Sequence, residues 1–120
     1  MNHLTETTFP SWLTEQIGLC ARRRTELLAG QRKDEANFEK IRENIYNVFR
    51  TVYEVAGRTQ ADAEKRNLFF LQRLEEIPAS WRAAYDKAAE HGDETKMHLE
   101  RLKLDTAWAI RERYLQEESK

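Results

Sequence analysis

Cysteine is almost missing from this 120-residue chain, with Cys20 its single example. An internal disulfide is therefore impossible, and so is a zinc cage built from cysteines. Glycine and proline are scarce as well, at four and two. The points where the backbone must turn or break are correspondingly few. Neither sign of charge prevails, with 20 Lys and Arg against 21 Asp and Glu. That balance argues against a nucleic-acid binder, which usually shows a basic face. No apolar run approaches the ~20 residues that cross a bilayer. The opening MNHLTETTFPSW lacks the positive start and apolar segment of a secretory signal. These absences lead to the expectation of a soluble cytoplasmic protein with no membrane contact. There is also no glycine-rich phosphate loop, serine elbow or dinucleotide fingerprint. Nothing nominates an enzyme, a catalytic residue or a cofactor.

What is present has the helical period. A chain of this length is normally one domain. We expect a single helical domain over 1–120, with 1–9 a flexible N-terminal arm and 118–120 a frayed C-terminus. The expected fold is all-α, a compact bundle of about five helices in which the fourth is short. Pro10 and Ser11 suit the start of a first helix running to Ala29, and Gly30 suits its stop. Its apolar stripe is Leu13, Ile17, Cys20, Leu27 and Leu28, with Arg24 inside it, free to reach outward or to pair with an acid on the second helix.

The second helix carries the clearest pattern. Phe38, Ile41, Ile45, Val48, Val52 and Val55 recur at steps of three and four up to Ala56 and Gly57, and Phe49 widens the stripe. It is expected at the centre of the bundle, with Ile45 and Val48 in the core. A third helix is expected to be capped by Thr59 and to run to about Glu76, with Ala63, Phe70, Leu74 and Ile77 on one face. Pro78 then breaks the ladder, and Ser80 is placed to cap a short fourth helix with Trp81, Ala84, Tyr85 and Ala88 inward. Gly92 ends it and Asp93 caps a fifth helix reaching about Glu117, the third, fourth and fifth forming an up-down set. On this last helix Met97, Leu104, Trp108 and Leu115 lie on one side, and Leu99, Leu102 and Ile110 lie nearly opposite. A helix apolar on two sides is either sandwiched or keeps one face for a partner.

Three groups of residues invite a functional reading. His91, Glu94 and His98 form one candidate metal set, Glu94 and His98 being four apart on a helix, the spacing metal ligands use. The two histidines lie across a turn, however, and nothing in the sequence aims them at one point. A plain hinge accounts for every residue there: His91 at the negative end of a helix dipole, Gly92 turning the chain, Asp93 restarting it. Arg22, Arg23, Arg32 and Lys33 could form a small anion patch, although adjacent helical residues point about 100° apart and short charge runs usually decorate a solvated helix end. Cys20, within an apolar stripe and with no histidine placed to serve it, reads as a buried structural thiol. The third group is apolar. Leu68 and Phe69 point away from the Phe70–Leu74 face, and Leu99 and Ile110 belong to the second apolar side of the last helix. Together they are the best hint of a protein-binding or self-associating surface.

The segment RKDEANFEKIRENIYNVFRTVY at 32–53, with IPASWRAA and AAEHGDETKMHLERLKL further on, resembles a family of small, uncharacterised all-helical bacterial proteins. The resemblance implies a cytoplasmic helical bundle and brings no activity, cofactor or catalytic residue. The function expected from the sequence is thus a non-catalytic helical module that binds another protein or itself. The alternatives are a nucleic-acid accessory protein using the basic patch, and a metal-dependent enzyme using the two histidines.

Overall fold

The computed structural model describes residues 8–118. All regular structure among them is helical: α1 Phe9–Ala29, α2 Lys33–Thr59, α3 Ala63–Glu76, α4 Ala79–Glu90 and α5 Glu94–Glu118. Two antiparallel hairpins, α1–α2 and α4–α5, make the closest helix pairings, and α2 also packs against α3 and α5. α3 and α4 barely touch, so α3, α4 and α5 do not form the up-down set expected of them. The body measures 44 × 35 × 24 Å, and its short dimension holds just two helices of ~10–12 Å diameter. Its Cα radius of gyration is 16.2 Å, against ~14 Å for a compact domain of this length. The bundle is therefore flatter than expected.

The ends of the helices show which local signals were read correctly. α1 starts two residues before Ser11. Thr8 is its N-cap, with its Oγ1 accepting from the Ser11 amide, and Pro10 sits within the first turn, where its missing N–H costs nothing. Of the expected flexible arm, Thr8 caps the helix and Phe9 is buried in the core, and of the expected frayed end Glu118 closes α5; 1–7 and 119–120 lie outside the described residues. The cap of α3 is Asp62, accepting from the Lys65 amide at 2.9 Å. Thr59 instead closes α2, its hydroxyl donating to the Val55 carbonyl. Pro78 itself stands at the start of α4, and Ser80 lies inside that helix with its hydroxyl turned back to the Ile77 carbonyl. Asp93 does cap α5, accepting from the Lys96 amide at 3.1 Å.

The core is an aromatic cluster where α1, α2, α3 and α5 meet. The Phe9 ring lies 5.2 Å from Tyr53, 5.5 Å from Phe70 and 5.2 Å from Tyr114, and Phe70 lies 4.5 Å from Tyr114. Leu13, Cys20, Ile45, Tyr46, Phe49, Leu74, Ala107 and Ile110 complete it. Edge-to-face and tilted ring pairs of this kind add ~0.5–1.5 kcal/mol each beyond the area they bury. On α2 the buried line runs Ile45, Phe49, Ala56 with Tyr46 beside it, and Val48 is 39% exposed. The expected seam through Val48 is thus rotated toward Phe49. Leu28 is likewise outside, at 51% exposure.

Candidate interaction surface

The histidines come apart. His91 Nδ1 lies 2.8 Å from the Lys87 carbonyl at the end of α4. His98 meets the Phe38 ring of α2 edge-on at 4.8 Å between centroids. Glu94 and His98 line a depression shared with α2, and His91 lines a separate one with Ala84, Ala88 and Lys96. Among the described residues no three His, Cys, Asp or Glu side chains converge as metal ligands. Gly92, at φ +66°, makes the turn between them.

The basic residues are largely answered by acids. Arg23 approaches Glu39 at 3.9 Å, Arg24 reaches Glu43 at 2.6 Å, and Arg32 forms a two-pronged pair with Glu35. Glu39 also pairs with Arg42. Arg24 thus takes the acid on α2 that its place in the stripe suggested. Lys33 lines a shallow recess with Lys40 beside Arg24, and Arg22 stands exposed. The four candidates do not converge on one anion-sized point, and two of them already face carboxylates.

Cys20 is buried at the same α1–α2 seam. Burial, reinforced by the Glu39 carboxylate and opposed by Arg42 and Arg23, pushes its thiol up from 9.0 to about 11. A thiol so protonated is a poor nucleophile. The Tyr46 hydroxyl is pushed up too, first by burial and then by Cys20.

The apolar candidates divide. Ile110 is fully buried and belongs to the core, so it contributes to no docking face. Leu99 is half-buried in the depression between α2 and α5. Phe69 is half-buried, with the Arg73 guanidinium 4.2 Å above its ring. Leu68 alone of the four is widely open, at 57% exposure. The four therefore form no single patch.

The sequence singled out both apolar sides of α5 but nominated the wrong one for the surface. Leu102, Ile110 and Tyr114 face inward. On the other side Met97, Leu104 and Leu115 are half-buried, and Trp108 is 59% exposed, the most open large apolar residue described. Trp108 borders a depression of about 390 Å³ between α3, α4 and α5, walled by Leu74, Pro78, Leu104 and Ala107. Glu75, Arg82 and Arg111 form its charged rim. Arg111 leans over the indole at 5.6 Å, and Arg82 donates to the Glu75 backbone carbonyl at 3.2 Å. Neither the Glu75 carboxylate nor Arg82 has an ion-pair partner among the described residues. Leu68, Leu71 and Glu75 follow one another along a single line of α3.

Sequence reasoning passed over Glu100, a carboxylate on α5 that is 2% exposed and held by Lys96 at 3.4 Å and Lys103 at 3.2 Å. Its two lysines at i−4 and i+3 were the available signal, but such spacing also describes any solvated helix face.

No protein-family model, curated protein or solved structure matches this chain. Among the described residues no helix is long and apolar enough to cross a membrane.

Proposed function

We propose that this protein is a non-catalytic helical module that works by self-association through the Trp108 face, in the cytoplasmic setting expected from its sequence. The observation that carries the reading is the exposed Trp108 standing beside a depression that its own neighbours wall. A two-fold axis through that place lets each indole enter the depression of the other copy, as an isologous contact requires. Tryptophan is the residue most enriched at the energetic centres of interfaces. The rim carries both signs, so the same axis brings Glu75 of one copy toward Arg82 of the other. Charge complementarity of this kind fixes orientation and excludes wrong partners.

Sedimentation velocity over a hundredfold concentration range, with Trp108→Lys run beside the natural chain, tests the proposal. The natural chain should sediment as a dimer and the variant as a folded monomer. A natural chain that stays monomeric at every concentration refutes self-association.

A further inference from the structure

A glycine in a helix lowers stability by about 1 kcal/mol relative to alanine, so its presence invites a reason. Gly57, near the end of α2, has none in the fold: it has no positive φ, and a Cβ built there meets nothing within 4 Å. It lines a depression of about 440 Å³ between the C-terminal ends of α2 and α5 and the start of α3. That volume is within the ~300–1,000 Å³ of small-molecule sites.

Its lining joins the small residues Ala56, Gly57 and Ala63 to the aromatic rings of Tyr53, Phe70 and Tyr114. Two donors stand on α3. Arg66 is steadied by its Nε, which donates to the Gln60 carbonyl at 3.3 Å, and no carboxylate pairs with it among the described residues. Asn67 accepts from the Tyr114 hydroxyl at 2.6 Å through Oδ1, which leaves its NH₂ group as a donor. The depression thus sets small residues and aromatic rings beside a guanidinium and an amide donor, the chemistry that recognises a ring bearing a carboxylate.

We propose that this pocket binds a small aromatic carboxylate. Its ring lies over Gly57 between Ala56 and Ala63, and its carboxylate meets Arg66 and the Asn67 amide. The site shares no residue with the depression beside Trp108, so it stands or falls apart from self-association.

The test is a titration of the full-length ¹⁵N-labelled chain with 4-hydroxybenzoate and, separately, with neutral 4-hydroxybenzamide. The acid should move the Gly57, Ala63 and Asn67 amides saturably, and the neutral amide should bind about tenfold more weakly. Gly57→Leu, whose side chain enters the open space, should abolish the shifts while the chain stays folded. Arg66→Gln, at an exposed position, should erase the preference for the acid even if Gly57→Leu fails to fold. No saturable shift of these amides by about 10 mM acid overturns the proposal, as does equal binding of acid and amide by the natural chain.

Discussion

The chain reverses direction twice by the same backbone device, and the two turns differ in the residue that is left-handed. Between α4 and α5 the Asp93 amide bonds to the Ala88 carbonyl and the Gly92 amide to the Ala89 carbonyl, with Gly92 left-handed at φ +66°. Between α1 and α2 the Arg32 amide bonds to Leu27 and the Gln31 amide to Leu28 in the same pattern. Here the left-handed residue is Gln31, at φ +61°, and the glycine stands one place early, at φ −89°. The first turn therefore holds a side chain where the backbone favours none. What compensates lies in the hairpin bodies. α1 and α2 are joined by buried Leu13, Cys20, Ile45 and Phe49 and by the Arg24–Glu43 pair. α4 buries only Ala88 of its helical residues, with Trp81 and Tyr85 half-exposed. A well-packed pair of helices tolerates a strained turn; a thin pair depends on an unstrained one.

The largest effect expected is in the thick hairpin. Ile45→Asp places a charge with no partner in the core and should cost several kcal/mol, enough to unfold a domain of ordinary stability. Val48→Asp, three residues on but on the open side, should leave a cooperative melt within about 1 kcal/mol of the natural chain. A folded Ile45→Asp chain would show that α2 is not central.

Alkaline pH should report on the same seam. The Cys20 thiol is raised from 9.0 to about 11 in the folded chain, so its contribution is whole below pH 9 and lost as pH rises through 11. The loss should reach about 2–3 kcal/mol, with Tyr46 adding in the same direction at higher pH. In urea melts from pH 8 to 11, Cys20→Ala should flatten the cysteine part of that slope. An unchanged slope would mean the thiol ionises as readily folded as unfolded.

The turns give smaller effects of opposite sign. Gly92→Ala forces a Cβ into the left-handed region and should destabilise by about 1–2 kcal/mol. Gln31→Gly relieves the same strain in the other hairpin and should stabilise by up to about 1 kcal/mol, less whatever the glycine adds to unfolded-chain entropy. Thermal melts of the two variants decide it, and equal signs would remove the distinction between the turns.

The sequence announced elements better than faces. Gly30, Pro78 and Gly92 stand near helix ends because few other residues permit a break, and Asp93 caps where a free carboxylate precedes a helix. The stripe through Phe38, Ile41, Ile45, Val48 and Val52 follows a seven-residue repeat, whereas a straight helix drifts ~20° per heptad. Over α2 that drift moves Val48 outward and brings Phe49 in. On α5 both apolar sides were visible, but only the packing of Phe70 against Tyr114 decides that the Ile110 side is core and the Trp108 side is surface. The Glu75–Arg82 rim was illegible for a related reason: its members belong to different helices brought together by the corner at Pro78.

One measurement bears most directly on self-association through that rim. Glu75→Arg and Arg82→Glu chains are prepared separately, and each is sedimented alone and then mixed with the other in equal amounts. Alone, each variant sets like charges against one another across the two-fold axis and should be monomeric. Mixed, one chain presents two arginines and the other two glutamates, and a heterodimer should form. Variants that dimerise alone as the natural chain does, or a mixture that stays monomeric while the natural chain dimerises, would contradict the account.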